Sequence, residues 1–132
     1  MNIKRKSDTV LVMGATGMLG RIVYKYLKKK YPNQIFGTSR KNNTRLYQLN
    51  ANDKKSIKSA IEELKPQYVI NCIGALNGAT RSEMKLLNIL FPRILGEFSI
   101  IHNFKIVHIS TDAIFPENIG IVTEKSKPKP RD

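Results

Sequence analysis

Apolar positions along this chain alternate between short unbroken runs and stretches with helical spacing. The runs Thr9–Met13 and Tyr68–Ile73 have few polar interruptions, which is typical of parallel strands covered on both faces. In the stretches between the runs, apolar residues recur three and four positions apart, as they do on one face of a helix. The pattern therefore predicts strands that alternate with helices around a parallel sheet.

The predicted elements follow one another in a regular order. Strands are expected at residues 9–13, 34–38, 46–49, 68–73 and 105–110, and helices at 17–30, 53–64 and 81–101. Asn52 or Asp53 should cap the second helix, Pro66 should end it, and Pro92 should kink or break the third. Because crossovers between parallel strands are right-handed, this order predicts a Rossmann-type doubly wound α/β sheet with strand order 3-2-1-4-5.

The apolar stripes also predict which side chains are buried. The first helix should bury Leu19, Ile22, Val23, Tyr26 and Leu27, and the third Met84, Leu87, Phe91, Ile94, Leu95 and Phe98. His108 lies within the last strand and is expected to be a hydrogen-bonded core histidine rather than a ligand.

Three glycines separate the first strand from the first helix. Gly14, Gly17 and Gly20 have the spacing G-x-x-G-x-x-G, in which the first allows a tight turn, the second lets the backbone approach a pyrophosphate, and the third lets helix and strand pack closely. Phosphates would then lie at the positive end of the helix. We interpret this segment as a dinucleotide-binding corner; a purely structural glycine turn is the alternative.

The residues after the second strand bear on the choice of cofactor. An acidic residue there would bind the ribose 2′-hydroxyl of NAD, whereas a basic residue accommodates the 2′-phosphate of NADP. This chain has Ser39 and Arg40 at that place and no carboxylate before Asp53. The sequence therefore favours NADP(H) over NAD(H), the alternative being that Arg40 is an ordinary exposed side chain.

The charge of the chain is strongly positive but adds little to this picture. The formal net charge is +13, and residues 1–45 contain eleven basic residues but only one acidic residue, Asp8. We interpret most of the lysines as the solvated face of the first helix. A nucleic-acid partner is not favoured, because no aromatic residues interleave with the basic ones.

Composition also limits the compartment and the organisation of the chain. The single Cys72 allows no internal disulfide and suits a reducing, cytoplasmic location, where it would be a small core residue. No apolar run approaches the length of a membrane span, so no membrane partner is expected. We expect a basic lead at residues 1–8, one dinucleotide-binding domain at 9–116, and a Pro- and Lys-rich tail at 117–132.

Three segments together resemble a known family. They are Gly14–Gly20, Lys65–Cys72 and Val107–Pro116, of which the last is the most specific because it contains Ser-Thr-Asp, two residues and Phe. These segments look like the extended short-chain dehydrogenase/reductases, and within them like nucleotide-sugar reductases of the dTDP-4-dehydrorhamnose reductase type. The resemblance implies that a keto-sugar carbonyl is reduced by hydride transfer from a nicotinamide.

The resemblance also implies roles for individual residues. Those expected to line the cofactor are Gly14, Gly17, Met18, Leu19, Gly20, Ser39, Arg40, Asn50, Ala51, Ile73, Gly74 and Ala75. Thr111 would hydrogen-bond the substrate oxygen in catalysis, Asp112 would lie beside the sugar nucleotide, and Asn88 would reach toward the loop after strand four. Thr111 and Asp112 could instead simply cap the turn that follows their strand. No metal site is predicted.

One part of the family's pattern is missing from this sequence. Such reductases use a Tyr-x-x-x-Lys motif to protonate the developing alkoxide, and here no tyrosine follows Tyr68. We therefore expect this chain to be the cofactor-binding half of a longer reductase. This half would lack the remaining strands and the substrate domain, and it would be inactive alone. The alternative is a non-catalytic, cofactor-sensing subunit, such as the regulatory subunit of methionine adenosyltransferase. In either case strand five would be an unpaired edge that could pair with a second copy.

Overall fold

A computed structural model describes residues 8–42, 45–75, 78–111, 114–116 and 120–129. The strands are β1 (Val10–Met13), β2 (Ile35–Ser39), β3 (Tyr47–Gln48), β4 (Tyr68–Asn71) and β5 (Lys105–His108). The helices are α1 (Met18–Lys30), α2 (Lys54–Leu64), α3 (Arg81–Lys85) and α4 (Phe91–His102), with a π-helical turn at Leu86–Leu90 between the last two.

The strands form one parallel sheet in the order β3-β2-β1-β4-β5. This confirms the predicted Rossmann-type fold and its strand order. In the register, Met13 pairs with Asn71, and Asn71 pairs with His108, so the carboxyl ends of neighbouring strands are level. All loops that follow the strands therefore lie at one edge of the sheet, where ligands bind in this architecture.

Each face of the sheet packs against its own helices. On one face, strand residues such as Leu11, Met13 and Val69 pack with Ile57 and Ile61 of α2 and with Phe91, Leu95 and Phe98 of α4. On the other face, Val10, Val12, Ile35 and Ile70 are covered by side chains of α1. Asp53 caps α2 by accepting a hydrogen bond from the Lys55 N–H, as the sequence predicted.

The buried stripe of α1 differs from the prediction. Val23 and Leu27 pack against the core, but Ile22 and Tyr26 are 62% and 66% exposed. The sole buried residue of the helix is Gly20, and Val23 and Leu27 follow it at three and seven positions. The helix is thus turned by about one residue relative to the prediction, because a glycine has no side chain to count in an apolar pattern and yet makes the closest contact.

The region from Arg81 to His102 is helical throughout but not uniform. Met84 was expected to be buried and is 37% exposed, whereas Phe91 is fully buried. Pro92 neither ends nor breaks the helix. It lies in the first turn of α4, directly after the π-helical turn. A regular α-helix there would bring the proline ring against the carbonyl of residue 88, four positions earlier.

The last strand lies at the edge of the sheet that the structure describes. His108 is exposed there rather than buried in the core, because no strand covers the outer side of β5 in the described residues. Pairing of this edge with a second copy stays a prediction. In the described part of the tail, residues 120–129 contain neither helix nor strand. No helix among the described residues is long and apolar enough to span a bilayer.

Candidate functional site

The turn from β1 into α1 is shaped by close backbone contacts. Gly14 has φ +80°, a conformation that side chains disfavour, and a Cβ there would lie 2.9 Å from Ile73 Cγ1. Its N–H donates to Thr38 Oγ1 at 3.1 Å, and the next N–H, of Ala15, donates to the Thr38 carbonyl at 2.9 Å. The corner is therefore hydrogen-bonded to β2 through Thr38 and lies close against Ile73, which follows β4.

Gly20 and Gly17 leave the start of α1 close to the strand and open toward the edge of the sheet. A Cβ on Gly20 would lie 2.1 Å from the Gly14 carbonyl oxygen, so only glycine fits. Gly17 is the N-cap, offers no side-chain cap, and is followed by no acidic residue in the first turn. N–H groups at an uncapped helix start carry partial positive charge, so this corner fits a pyrophosphate.

The end of β2 supplies buried polar residues and is followed by exposed cations. Thr38 and Ser39 are buried, and the Ser39 carbonyl accepts a hydrogen bond from the Leu49 N–H at 2.9 Å. Arg40 is exposed. Hydrogen bonds from Thr80 lower the pKa of the Glu83 carboxyl in α3, and the positive charge of Arg40 lowers it further. Arg40 therefore lies within electrostatic range of α3 across the edge of the sheet.

Asn50 and Ala51 follow β3 at the same edge. The Asn50 side-chain oxygen accepts a hydrogen bond from the Asn52 N–H at 3.1 Å. The backbone N–H of Asn50 donates to Ser56 Oγ, also at 3.1 Å. Ala51 is nearly buried. These bonds hold the turn that leads into α2, which places both residues near the ends of β2 and β3.

The end of β4 is organised by Asn71, a residue that sequence reasoning missed. Its side chain is 1% exposed; Oδ1 accepts from the Ile73 N–H at 2.9 Å, and Nδ2 lies 3.0 Å from His108 Nδ1. Since Oδ1 must be the acceptor, Nδ2 donates to His108 Nδ1, and the neutral imidazole carries its proton on Nε2. The signal was available, because an amide that ends an apolar strand needs a buried partner.

A second amide, Asn88 in the π-helical turn, holds the loop after β4. Asn88 Oδ1 accepts from the Ala75 N–H at 2.8 Å, and Asn88 Nδ2 donates to the Ala75 carbonyl at 3.0 Å. A Cβ on Gly74 would lie 3.4 Å from Asn88 Oδ1, an ordinary contact. The structure thus connects Asn88 with the loop after strand four, where the family resemblance placed it.

The structure brings most of the predicted site residues to one edge. Thr111 is exposed and follows β5 at this edge, whereas Asp112 lies outside the described residues.

Gly37, in the middle of β2, was not predicted to matter for the site. A Cβ there would lie 2.8 Å from Ala15 Cβ, so the lack of a side chain at Gly37 lets the corner pack against β2. Burial raises the pKa of the Cys72 thiol, which keeps it protonated near neutral pH.

A parallel sheet of this order, with an open glycine corner at the carboxyl edge, defines a Rossmann-type dinucleotide-binding architecture. Residues 10–132 match the NAD dependent epimerase/dehydratase family, and the chain belongs to that family. The match confirms the resemblance to the extended short-chain dehydrogenase/reductases that the motifs indicated. A dinucleotide is accordingly the cofactor class of this family.

Individual relatives are similar over only part of their length. The chain is 27% identical to methionine adenosyltransferase 2 subunit beta of Xenopus laevis over 128 residues, which cover 94% of this chain and 38% of the relative. It is 28% identical to dTDP-4-dehydrorhamnose reductase of Aggregatibacter actinomycetemcomitans over 111 residues, or 80% of this chain and 35% of the relative. The chain thus spans less than two fifths of the length of either protein.

Solved structures support the same fold. The dTDP-4-dehydrorhamnose reductase of Bacillus anthracis str. Ames, determined in complex with NADP, superimposes with a TM-score of 0.71 at 22% identity. The similarity covers 87% of this chain and 39% of that protein.

Proposed function

We propose that this chain is the NADP(H)-binding part of a nucleotide-sugar reductase resembling dTDP-4-dehydrorhamnose reductase. The observation that carries the proposal is the β1–α1 corner. Its glycines place backbone N–H groups at the uncapped start of α1 and keep side chains out of the space in front of it. Such a corner binds a diphosphate through main-chain groups and the helix dipole.

The remaining residues of the edge have complementary roles in this proposal. The N–H groups of Met18 and Leu19 face the pyrophosphate, and Asn50 and Ala51 lie beside the adenine. The loop of Ile73, Gly74 and Ala75 passes beneath the ribose, where small residues leave room. In the whole protein, a nicotinamide held by these residues would supply a hydride to the keto carbon of the sugar. Thr111 hydrogen-bonds the carbonyl oxygen, with Asp112 beside the sugar nucleotide.

Arg40 is the basis for the proposed preference for NADP(H). It is exposed at the end of β2, next to Ser39, and the sequence contains no carboxylate between Asp8 and Asp53. An acidic partner for a free 2′-hydroxyl is therefore missing from this part of the chain, whereas a guanidinium can hold the 2′-phosphate through two hydrogen bonds.

The test is a fluorescence titration of the chain with NADPH and with NADH. We expect Arg40→Ala to weaken NADPH binding about tenfold to a hundredfold, because a hydrogen bond to a charged group contributes about 1.5–3 kcal/mol, and to leave NADH binding unchanged. Lys41→Ala is the matched control, since Lys41 is the neighbouring exposed cation. Equal losses for both nucleotides would refute the role of Arg40, and no saturable binding of either would refute the cofactor site.

A second function is favoured by one observation. Among the relatives is a protein named as a subunit of methionine adenosyltransferase 2, matched over 94% of this chain, and no tyrosine follows Tyr68 in the sequence. A non-catalytic, cofactor-sensing subunit would need no Tyr-x-x-x-Lys motif. In both cases we propose that residues 1–132 alone do not reduce a keto sugar, because no tyrosine follows Thr111 in them to donate the final proton.

The coding sequence beyond Asp132 distinguishes the two functions. A downstream Tyr-x-x-x-Lys motif would favour the reductase, and a longer coding sequence without that motif would favour the regulatory subunit. The inactivity of the chain itself is checked by incubating it with NADPH and dTDP-4-dehydrorhamnose and following nicotinamide absorbance. Any turnover above that of a Thr111→Ala variant would contradict the proposal.

A further inference from the structure

The helical region that follows β4 changes its hydrogen-bond register at one place. Over Leu86–Leu90 the backbone forms a π-helical turn, in which the Phe91 N–H donates to the Leu86 carbonyl five residues earlier. In an α-helix the Asn88 carbonyl would accept a hydrogen bond from the N–H of residue 92, and residue 92 is a proline, which has none. The widened turn therefore lies where an α-helical register would leave this carbonyl without its donor.

Asn88 lies at the centre of this turn and makes both of its side-chain hydrogen bonds to one residue of the β4 loop. Oδ1 accepts from the Ala75 N–H at 2.8 Å, and Nδ2 donates to the Ala75 carbonyl at 3.0 Å. The same loop begins at Ile73, whose Cγ1 would lie 2.9 Å from a Cβ on Gly14. Asn88 thus fixes the loop that borders the glycine corner.

The direction of Asn88 depends on the π-helical turn because α4 is anchored separately. Phe91, Leu95 and Phe98 of α4 are buried in the core, so this helix cannot rotate. Each residue of an α-helix advances by about 100°. Replacing the widened turn by α-helical turns would therefore rotate Asn88 away from Ala75 while Phe91 stayed in place.

We propose that Pro92 is a positioning residue that acts through Asn88. In an α-helical register its ring would collide with the Asn88 carbonyl four residues earlier, and this maintains the π-helical turn. The turn aims Asn88 at Ala75, which holds the 73–75 loop in the shape that binds the cofactor. The part of this inference that concerns the cofactor rests on the proposed function. The part that concerns Ala75 rests on the hydrogen bonds alone.

A double-mutant cycle tests the proposal, with Pro92→Ala, Asn88→Ala and the double variant compared with the unmodified chain. The first readout is hydrogen exchange of the Ala75 amide without nucleotide. We expect exchange to be about tenfold faster in each single variant, since a hydrogen bond of ordinary strength is lost, and no faster in the double variant than in Asn88→Ala. Pro32→Ala, at an exposed turn, is the control and should leave this exchange unchanged.

The second readout is NADPH affinity, which should fall by a similar factor, about tenfold, in all three variants. Ala75 exchange that is unchanged in Pro92→Ala, or effects of the two substitutions that simply add, would overturn the proposal. If the unmodified chain binds no NADPH, the proposed function fails, while the exchange experiment still decides whether Pro92 positions Asn88.

Discussion

The two strand ends that flank the candidate site are built in opposite ways. At the end of β1, Gly14 and Gly20 shape the corner by what they lack, since a side chain on Gly20 would overlap the Gly14 carbonyl at 2.1 Å. At the end of β4, Asn71 and Asn88 shape the loop by what they supply, which is four hydrogen-bonding groups directed at backbone and at His108.

The difference teaches how each end responds to change. At the β1 corner a single added carbon should cause a large loss of stability, because a backbone oxygen cannot move away from it without displacing the chain. At the β4 loop the loss of stability should grow with the number of hydrogen bonds removed, because each bond contributes separately and water can replace some of them. Substitutions at the β1 corner should therefore destabilise the fold, and substitutions at the β4 loop should weaken it in steps.

The largest effect is expected for Gly20→Ala. The new Cβ would lie 2.1 Å from the Gly14 oxygen, so we expect a loss of more than about 3 kcal/mol in the free energy of unfolding, at the upper end of overpacking effects. Gly96→Ala is the matched control, because Gly96 also lies inside a helix and a Cβ there meets nothing within 4 Å.

The control should have the opposite sign. We expect Gly96→Ala to stabilise the chain by about 0.5–1 kcal/mol, since alanine has the higher helix propensity. Urea denaturation followed by circular dichroism measures both variants. Equal effects of the two substitutions would contradict the steric account of the β1 corner.

A smaller effect is expected for Asn71→Ala. It removes the acceptor of the Ile73 N–H and the donor to His108 Nδ1, and leaving a buried N–H unpaired costs about 1–3 kcal/mol. His108→Ala removes only the bond at the exposed end, where water can take its place, and should cost about 0.5–1.5 kcal/mol at most.

Chemical denaturation of the two variants sharpens the comparison within the β4 end. If His108→Ala proved as costly as Asn71→Ala, the strand-to-strand bond rather than the Ile73 bond would be the important one.

The smallest effect concerns Glu83, which caps α3 ahead of the π-helical turn. Hydrogen bonds from the backbone and side chain of Thr80 hold its pKa below the ordinary value, and Arg40 adds to this. A carboxyl whose folded pKa is depressed stabilises the fold above the unfolded pKa, and this contribution is lost as the pH falls through the folded pKa.

An NMR titration of the Glu83 carboxyl measures this shift directly. We expect Thr80→Ala to return the pKa part of the way to its ordinary value, because it removes the hydroxyl hydrogen bond but keeps the backbone N–H, which is the larger cause. Arg40→Ala should return it only slightly. A larger change with Arg40→Ala would show that charge, rather than the capping box of Thr80 and Glu83, controls this carboxyl.

Much of the fold could be predicted because its signals are local. The unbroken apolar strands, a cap at Asn52 or Asp53 and the alternation with helices indicated a parallel sheet. Right-handed crossovers and the usual Rossmann-type arrangement then predicted the strand order 3-2-1-4-5. The glycine corner was equally predictable, because the spacing of the glycines by itself indicates a tight turn at Gly14 and a close approach of helix and strand at Gly20.

Contacts between distant segments could not be predicted in the same way. The rotation of α1 onto Gly20, the exposure of His108 and the Asn71–His108 bond depend on which strands are neighbours and which face a helix presents. The π-helical turn is an intermediate case. Pro92 predicted that the helix would be irregular at this place, but not that the irregularity would be a π-helical turn.

The sequence by itself determined the order of elements and the open corner, because backbone conformation and apolar periodicity are properties of short segments. Only the tertiary structure decided that Asn88 reaches Ala75 and that Asn71 joins β4 to β5. Those bonds form between residues 13 and 37 positions apart. Only the pairing of β4 with β5 and the packing of the helical region against the sheet bring such residues within hydrogen-bond distance.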